Sequence, residues 1–312
     1  GGTHFEVTTR CLHGRYLLPA SNHFRSIAIG IMARAKERYP VEIYAFSGLR
    51  NHIHWLLGAY EVDDLSKFVG YVKSNLAREA GRIVDWREKF WARRFKAIEI
   101  SDEEEAWIGR LRYVLSHGPK ENLVLRCRDW PGLQCIDAVT RGEPLVGFWR
   151  DRSSEYEVRR QGKDLDADAF TQDYTLELDP PPCWQHLSRE AIQQRFSEMV
   201  EEIDAESARR VILGGMTPLG ARAIRQQHPH DRPERSKRSP APAVHAASKA
   251  IRKQMQEAYR LFVEAYRSAA ARLRAGDYGV EFPQGCFPPP RPFVPCDAGL
   301  PSCRAGPAFA PG

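Results

Sequence analysis

Between Val41 and Leu57 the chain carries two strand-like runs with almost nothing between them. Val41–Ser47 is one, Gly48 opens a turn, and Asn51-His52-Ile53-His54-Trp55-Leu56-Leu57 comes directly after it. So short a separation makes a hairpin the simplest fold for the stretch, and the rest of the chain has to cover a sheet. Side chains alternate faces along a strand, so His52 and His54 share one face while Ile53 and Trp55 point to the other. Two imidazoles side by side on one face can share a metal ion, or they are simply polar residues on a half-buried strand.

The flanking segments define the fold class. His4–Cys11 alternates Phe5, Val7 and Thr9 against Glu6, Thr8 and Arg10, a strand pattern. Asn22 is placed to cap a helix running to about Arg38, with Phe24, Ile27, Ile31 and Ala35 on one face. After the hairpin, Asp63 or Asp64 starts a helix with an apolar stripe of Leu65, Phe68, Val69, Val72, Leu76 and Ala80, and Gly81 is its expected stop. Arg93–Ile100 reads as a fourth strand. Acidic residues after Ser101 open a further helix that carries Ala106, Trp107, Leu111, Val114 and Leu115 inward, to be stopped after His117 by Gly118-Pro119. Strand, helix, strand, strand, helix, strand, helix is a split βαβ order. The expectation is a ferredoxin-like α+β fold, an antiparallel sheet with helices on one face, plus a mainly helical C-terminal extension.

Charge divides the remainder of the chain. A catalytic domain is expected over residues 1–150, with Asp129–Leu133 as a packed loop at its edge. Residues 155–219 carry 14 Asp and Glu against 7 Lys and Arg, so 151–219 reads as an acidic linker with a good helix over Ser188–Val211. Residues 220–276 reverse the sign, 13 basic against 4 acidic, so 220–282 reads as a basic linker leading into a long helix from about His245 to Arg274. From Pro283 to residue 312 the Pro- and Gly-rich tail is expected to be flexible, with Phe293-Val294 able to dock back.

Net charge is +6 with a pI near 8.9, a balance suited to a polyanionic partner. No segment reaches the roughly 18 apolar residues of a membrane span. The opening Gly1-Gly2-Thr3-His4 reads as a trimmed start without a secretory leader. The seven cysteines are scattered without a Cys-x-x-Cys motif: Cys11, Cys127, Cys135 and Cys183 read as reduced thiols, Cys286, Cys296 and Cys303 in the tail could instead hold zinc, and a cytoplasmic protein is expected.

Tyr113 gives the histidine strand a chemical purpose. It lies on the helix expected to pack across the sheet, and His117 stands one turn later on the same face. His52, His54 and His117 together would hold a divalent ion with positions left open for a phosphate oxygen. Tyr113 would then attack phosphorus in line and form a phosphotyrosine bond to DNA, releasing a 3′-hydroxyl. The bond energy is kept, so resealing needs no ATP.

Asn51-His52-Ile53-His54-Trp55-Leu56-Leu57 resembles the histidine–hydrophobe–histidine (HUH) motif of single-strand DNA nucleases and transposases. Tyr113–Val124 resembles the tyrosine helix of the REP-associated tyrosine transposases, and Thr9-Arg10-Cys11 and Phe90–Phe95 are similar to segments of that family. The resemblance covers roughly residues 3–150. It implies Tyr113 as nucleophile, His52 and His54 as ligands of Mg²⁺ or Mn²⁺, and a single-stranded DNA hairpin as substrate. This chain has Leu49-Arg50 where the family has Met-Pro, His117 where many members have Asn or Gln, and Gly118 in place of the usual Pro.

Asn51 either orients a ligand or satisfies the hairpin turn. Together with Arg50, Lys67, Lys73, Arg78, Arg93 and Arg94 it is a candidate for DNA contact. Trp55, Trp91 and Trp107 read as core residues. The leading expectation is a metal-dependent single-tyrosine transposase, acting as a homodimer or a monomer. Its rivals are a domesticated protein that binds palindromic repeats without strand transfer, and a small-molecule phosphoesterase. The phosphoesterase would need a second His-x-Thr or His-x-Ser motif, which His4-Phe5-Glu6, His13-Gly14-Arg15 and His23-Phe24-Arg25 do not supply.

Overall fold

The computed structural model describes residues 2–163, 165–234 and 242–290. Its core is a six-stranded sheet. Strand β1 (Thr3–Arg10) leads through α1 (Asn22–Arg38) to the hairpin β2 (Val41–Leu49) and β3 (His52–Ala59). Then α2 (Val62–Ile83) leads to β4 (Lys96–Ile100). These four strands lie in the antiparallel order β2-β3-β1-β4, the split βαβ arrangement expected from the sequence.

Helix α3 (Glu104–Leu115) comes next, and after Ser116 a single turn α4 (His117–Lys120) continues the path. Gly118-Pro119 therefore does not end the helical path as expected. Pro119 falls in the first turn of a new helix, where its missing N–H costs nothing. Helix α2 likewise runs past Gly81 to Ile83, and α1 is capped by Ser21, not Asn22, with Ser21 Oγ accepting from Phe24 N at 3.2 Å.

Helices cover both faces of the sheet, where one covered face was expected. Trp55 on β3 donates from Nε1 to Met32 Sδ of α1 at 3.3 Å, so α1 lies on the Ile53 and Trp55 face. Tyr113 of α3 meets His54 on the opposite face.

Residues 125–152 carry two short strands and an α-helix. β5 (Leu133–Gln134) extends the sheet beside β2, α5 (Ile136–Arg141) comes after it, and β6 (Leu145–Arg150) starts a hairpin. The Asp129–Leu133 loop packs as expected, with Trp130 buried and its Nε1 donating to Gly48 O at 2.9 Å. After α6 (Arg152–Arg160), β7 (Thr171–Leu176) pairs with β6 in a second, two-stranded sheet laid on α1. That contact is backbone to backbone. A Cβ on Gly30 would sit 2.2 Å from Phe148 O, and one on Gly147 would sit 2.1 Å from Ser26 O. Glycines at both positions let strand and helix touch. Covered by the large sheet on one side and this hairpin on the other, α1 is buried well beyond its expected stripe, at Ala28, Ile29, Gly30 and Ala33.

Helix α7 (Arg189–Gly214) buries Phe196, Met199, Val200 and Ile203 in the same core as the sheet. The short α8 (Ala221–Gln226) lies beyond it. Then β8 (Val244–His245) pairs in parallel with β4 at the sheet's edge, where the start of a long helix was expected. The compact unit built this way runs from Gly1 to Glu257.

Helix α9 (Lys249–Arg274) passes into a second unit, Ala258–Gly312. Within that unit Tyr266 meets Phe282 edge-on at 5.5 Å and Arg272 pairs with Asp277 at 2.6 Å. Ile251 and Tyr259 of α9 are exposed. Cys296, Cys303 and Phe293-Val294, and most of the tail from 283, lie outside the described residues, as do residues 235–241 of the basic linker. Among the described residues no helix is long and apolar enough to cross a membrane.

Candidate active site

Strand register decides which side chains meet. On β3, His54 pairs with Ser47 of β2 and Thr8 of β1, and His52 pairs with Leu49 and Arg10. Directly paired residues share a face. The histidine face therefore also carries Thr8, Arg10, Glu6 and, opposite Thr8 on β4, Lys96.

His117 completes the cluster from above the sheet. Its Nε2 lies 3.2 Å from His52 Nε2, and its ring is 4.5 Å from that of His54. The ligand atoms of His52, His54 and His117 all lie within 4.8 Å of one another, a group able to hold a divalent metal. Tyr113 stands beside it, its ring 5.5 Å from His54 and 5.1 Å from His117. The four residues expected to form the site are thus brought together within one chain.

Each strand histidine is oriented through its other ring nitrogen. His52 Nδ1 is 2.5 Å from Asn51 Oδ1, and Asn51 Nδ2 donates to Gly14 O. His54 Nδ1 is 2.8 Å from Glu6 Oε1 and 3.1 Å from Thr8 Oγ1. An acceptor at Nδ1 leaves the Nε2 lone pair of each free for a metal, the usual outer-shell arrangement.

The electrostatics agree with a metal centre. Burial first, and then the neighbouring imidazoles, hold His52 far below the ordinary histidine range. Burial, His54 and Lys120 do the same to His117. Both are therefore neutral donors at neutral pH. His117 Nδ1 is buried without a partner, while its Nε2 faces the lone pair of His52. Two facing nitrogens need a proton or a cation between them, and three neutral imidazoles suit a divalent ion.

Burial works against the charge of Glu6, but its contacts with His245 and His54 outweigh that and hold its carboxyl far below the usual range. Burial and the Glu6 charge push the Tyr113 phenol up, while Arg110 pulls it the other way. Two cations sit over the Tyr113 ring, Lys120 Nζ at 4.0 Å from its centroid and Arg110 Cζ at 5.0 Å.

The expected DNA contacts divide into groups. Arg50 is only 5% exposed, and its guanidinium donates to Ile224 O, Gln227 O and Tyr16 O. Asn51 is buried as well. Both residues act inside the protein and, contrary to expectation, are not among the groups able to reach a DNA backbone.

Lys67 pairs with Asp63 at 2.5 Å. Arg78 is exposed and lines a cavity of about 540 Å³ with Ile27, Trp149 and Tyr156, on the α1 side of the sheet away from the histidines. Arg93 and Arg94 are exposed on the loop before β4. Ala92 N of that loop donates to Arg10 O, the β1 residue paired with His52. Lys73 Nζ donates to Arg93 O at 3.1 Å, and burial brings its pKa down to about 8.

Sequence reasoning missed Glu6, Thr8, Arg10, Arg110, Lys120 and His245. Arg110 had a readable signal, standing three residues before Tyr113 on the same helix face. Glu6 had none, because its pairing depends on a register between strands far apart in sequence.

Residues 19–115 match the family model described as "Transposase IS200 like". The match takes in His52, His54 and Tyr113 and ends before His117. No curated protein gives a significant match. Among solved structures, a REP-associated tyrosine transposase bound to a REP hairpin is 23% identical, covering 46% of this chain and 84% of its own, with a TM-score of 0.38. A candidate transposase from Deinococcus radiodurans R1 is 16% identical, covering 35% of this chain and 88% of its own, with a TM-score of 0.28.

Proposed function

We propose that this chain, whose residues 19–115 match the IS200-like transposase family model, cuts and rejoins single-stranded DNA with Tyr113 as nucleophile. The observation that carries the reading is the meeting of Tyr113 with the three imidazoles of His52, His54 and His117. The substrate class is a hairpin-bearing single strand of the kind used by REP-associated enzymes.

His52, His54 and His117 would hold the metal through Nε2. When bound, a divalent ion polarises a phosphate oxygen and offsets the charge that builds in the transition state. An all-nitrogen donor set favours Mn²⁺ over Mg²⁺, which prefers oxygen ligands and its own waters. Asn51 and Glu6 keep the strand histidines in the tautomer that presents Nε2.

Tyr113 Oη attacks phosphorus in line. The Oη–P bond forms, the bond from phosphorus to the 3′-oxygen breaks, and the proton lost by the phenol is balanced by one gained at the departing 3′-oxygen. Lys120 and Arg110 over the ring favour the phenolate. Attack by a new 3′-hydroxyl on the 5′-phosphotyrosine reverses the step and joins the strands. Arg10 and Lys96 lie on the histidine face of the sheet, Arg93 and Arg94 are exposed on the loop before β4, and all four suit a phosphate backbone. Tyr113 stands against histidines of its own chain, so a monomer contains a complete site, and a homodimer would add DNA-binding area without being needed for chemistry.

Incubating the protein with hairpin-bearing single strands and Mn²⁺ tests this. Metal-dependent cleavage is expected. Tight hairpin binding without cleavage would favour a protein that recognises palindromes without cutting them.

A further inference from the structure

Glu6 is a buried carboxylate with more to neutralise than His54 alone can manage. Its Oε1 accepts from His54 Nδ1 at 2.8 Å. Its Oε2 lies 3.2 Å from Arg110 Nη1 and 2.9 Å from His245 Nε2. The His245 N–H is not aimed squarely at the oxygen, so the contact is a close approach of a bent donor. A buried carboxylate that loses a partner is costly, and it relieves the cost by turning away toward other partners. Turning away would release His54 Nδ1.

Arg110 is a poor permanent partner. It is a quarter exposed, and its guanidinium also lies over the Tyr113 ring, where an incoming phosphate would draw it. His245 is held differently. Its strand pairs with β4 through Glu99 with Val244 and Ile100 with His245, and Ser101 N donates to His245 O at 2.8 Å.

Two residues on, the Glu103 carboxylate accepts from Ala247 N at 2.9 Å and from Ser248 N at 2.8 Å, and Ser101 Oγ braces it at 2.7 Å. Glu103 thus clamps a segment 144 residues away in sequence. Val244 is buried at the same edge. All of this clamped segment lies outside the family-matched residues 19–115.

We propose that His245 is a positioning residue of the metal centre, brought to Glu6 by β8 so that Glu6 stays fixed on His54 when Arg110 turns to DNA. The C-terminal part of the compact unit is then a working component of the site. The inference rests on the reading of His52, His54 and His117 as metal ligands.

The test is Mn²⁺ affinity of the full chain, measured by calorimetry without DNA. His245→Ala should weaken binding about 10–100-fold, the usual effect of losing an outer-shell partner. His245→Gln, which still presents an N–H donor, should recover most of it. Glu103→Ala touches no residue of the site and should weaken binding in the same direction by loosening β8. Amide hydrogen exchange at Val244 and His245 reports that loosening and checks the fold of each variant. Wild-type affinity in a folded His245→Ala, or in a Glu103→Ala protein whose β8 exchanges freely, overturns the proposal while leaving the metal centre intact. A wild-type protein that binds no Mn²⁺ overturns the metal centre and this proposal together.

Discussion

The ring of Tyr113 stands 5.5 Å from that of His54, at 71°. One residue comes from a helix above the sheet and the other from the second strand of the hairpin. The contact places a phenol beside the one face of β3 where two imidazoles point the same way.

Metal removal separates binding from chemistry. EDTA should abolish cleavage of a hairpin strand while leaving most of the electrostatic DNA affinity, since Arg93 and Arg94 bind no metal. His117→Ala should weaken Mn²⁺ binding by more than the roughly 10–100-fold of an outer-shell change, because it removes a direct donor. Titration of Mn²⁺ into apo protein checks it, and equal affinity in His117→Ala would take His117 out of the ligand set.

Lys120 should act on the nucleophile. Its ammonium lies 4.0 Å from the Tyr113 ring centroid and favours the phenolate over the phenol. Lys120 is exposed, and a contact of this kind is worth about 0.5–1 kcal/mol. Lys120→Met should therefore slow cleavage by about two- to fivefold in kcat with little change in KM for DNA. A loss confined to KM would make Lys120 a DNA contact instead.

Stability should depend on pH in two windows. His52 and His117 are depressed when folded, so the unfolded chain takes up their protons first as pH falls past about 6.5. Metal-free protein should lose stability from pH 7 toward pH 5, at up to about 1.4 kcal/mol per pH unit for each imidazole. Glu6 acts lower. Its folded value is depressed, so its contribution is present above the unfolded carboxyl value near 4.5 and is lost as pH falls below it. Urea denaturation in EDTA measures both, and a flat profile between pH 7 and 5 would contradict the buried neutral imidazoles.

Arg50 should matter to folding. Its guanidinium satisfies carbonyls of Ile224, Gln227 and Tyr16. Arg50→Met should destabilise the protein by about 3 kcal/mol, because buried carbonyls lose their donors. Hairpin affinity of the folded fraction should be unchanged. A stable variant with weak DNA binding would return Arg50 to the interface.

Much of the fold was readable because it rests on short periods. The alternation in β1 and β3 and the four-residue spacing from Tyr113 to His117 are local patterns. What stayed hidden depends on contacts between distant segments. Arg50 adjoins the histidine motif and looks like a DNA-reading arginine until α8 closes over it. His245 belongs to a two-residue strand, too short to alternate. The β6–β7 hairpin hid because Gly147, which lets it touch Gly30, leaves a gap in the apolar pattern.

The central claim is tested most directly by mass mapping of a covalent adduct after reaction of the protein with a hairpin-bearing single strand and Mn²⁺. The account predicts one DNA phosphate on Tyr113, absent from Tyr113→Phe although that variant still binds Mn²⁺. An adduct that persists in Tyr113→Phe, or one mapped to any other residue, would contradict it.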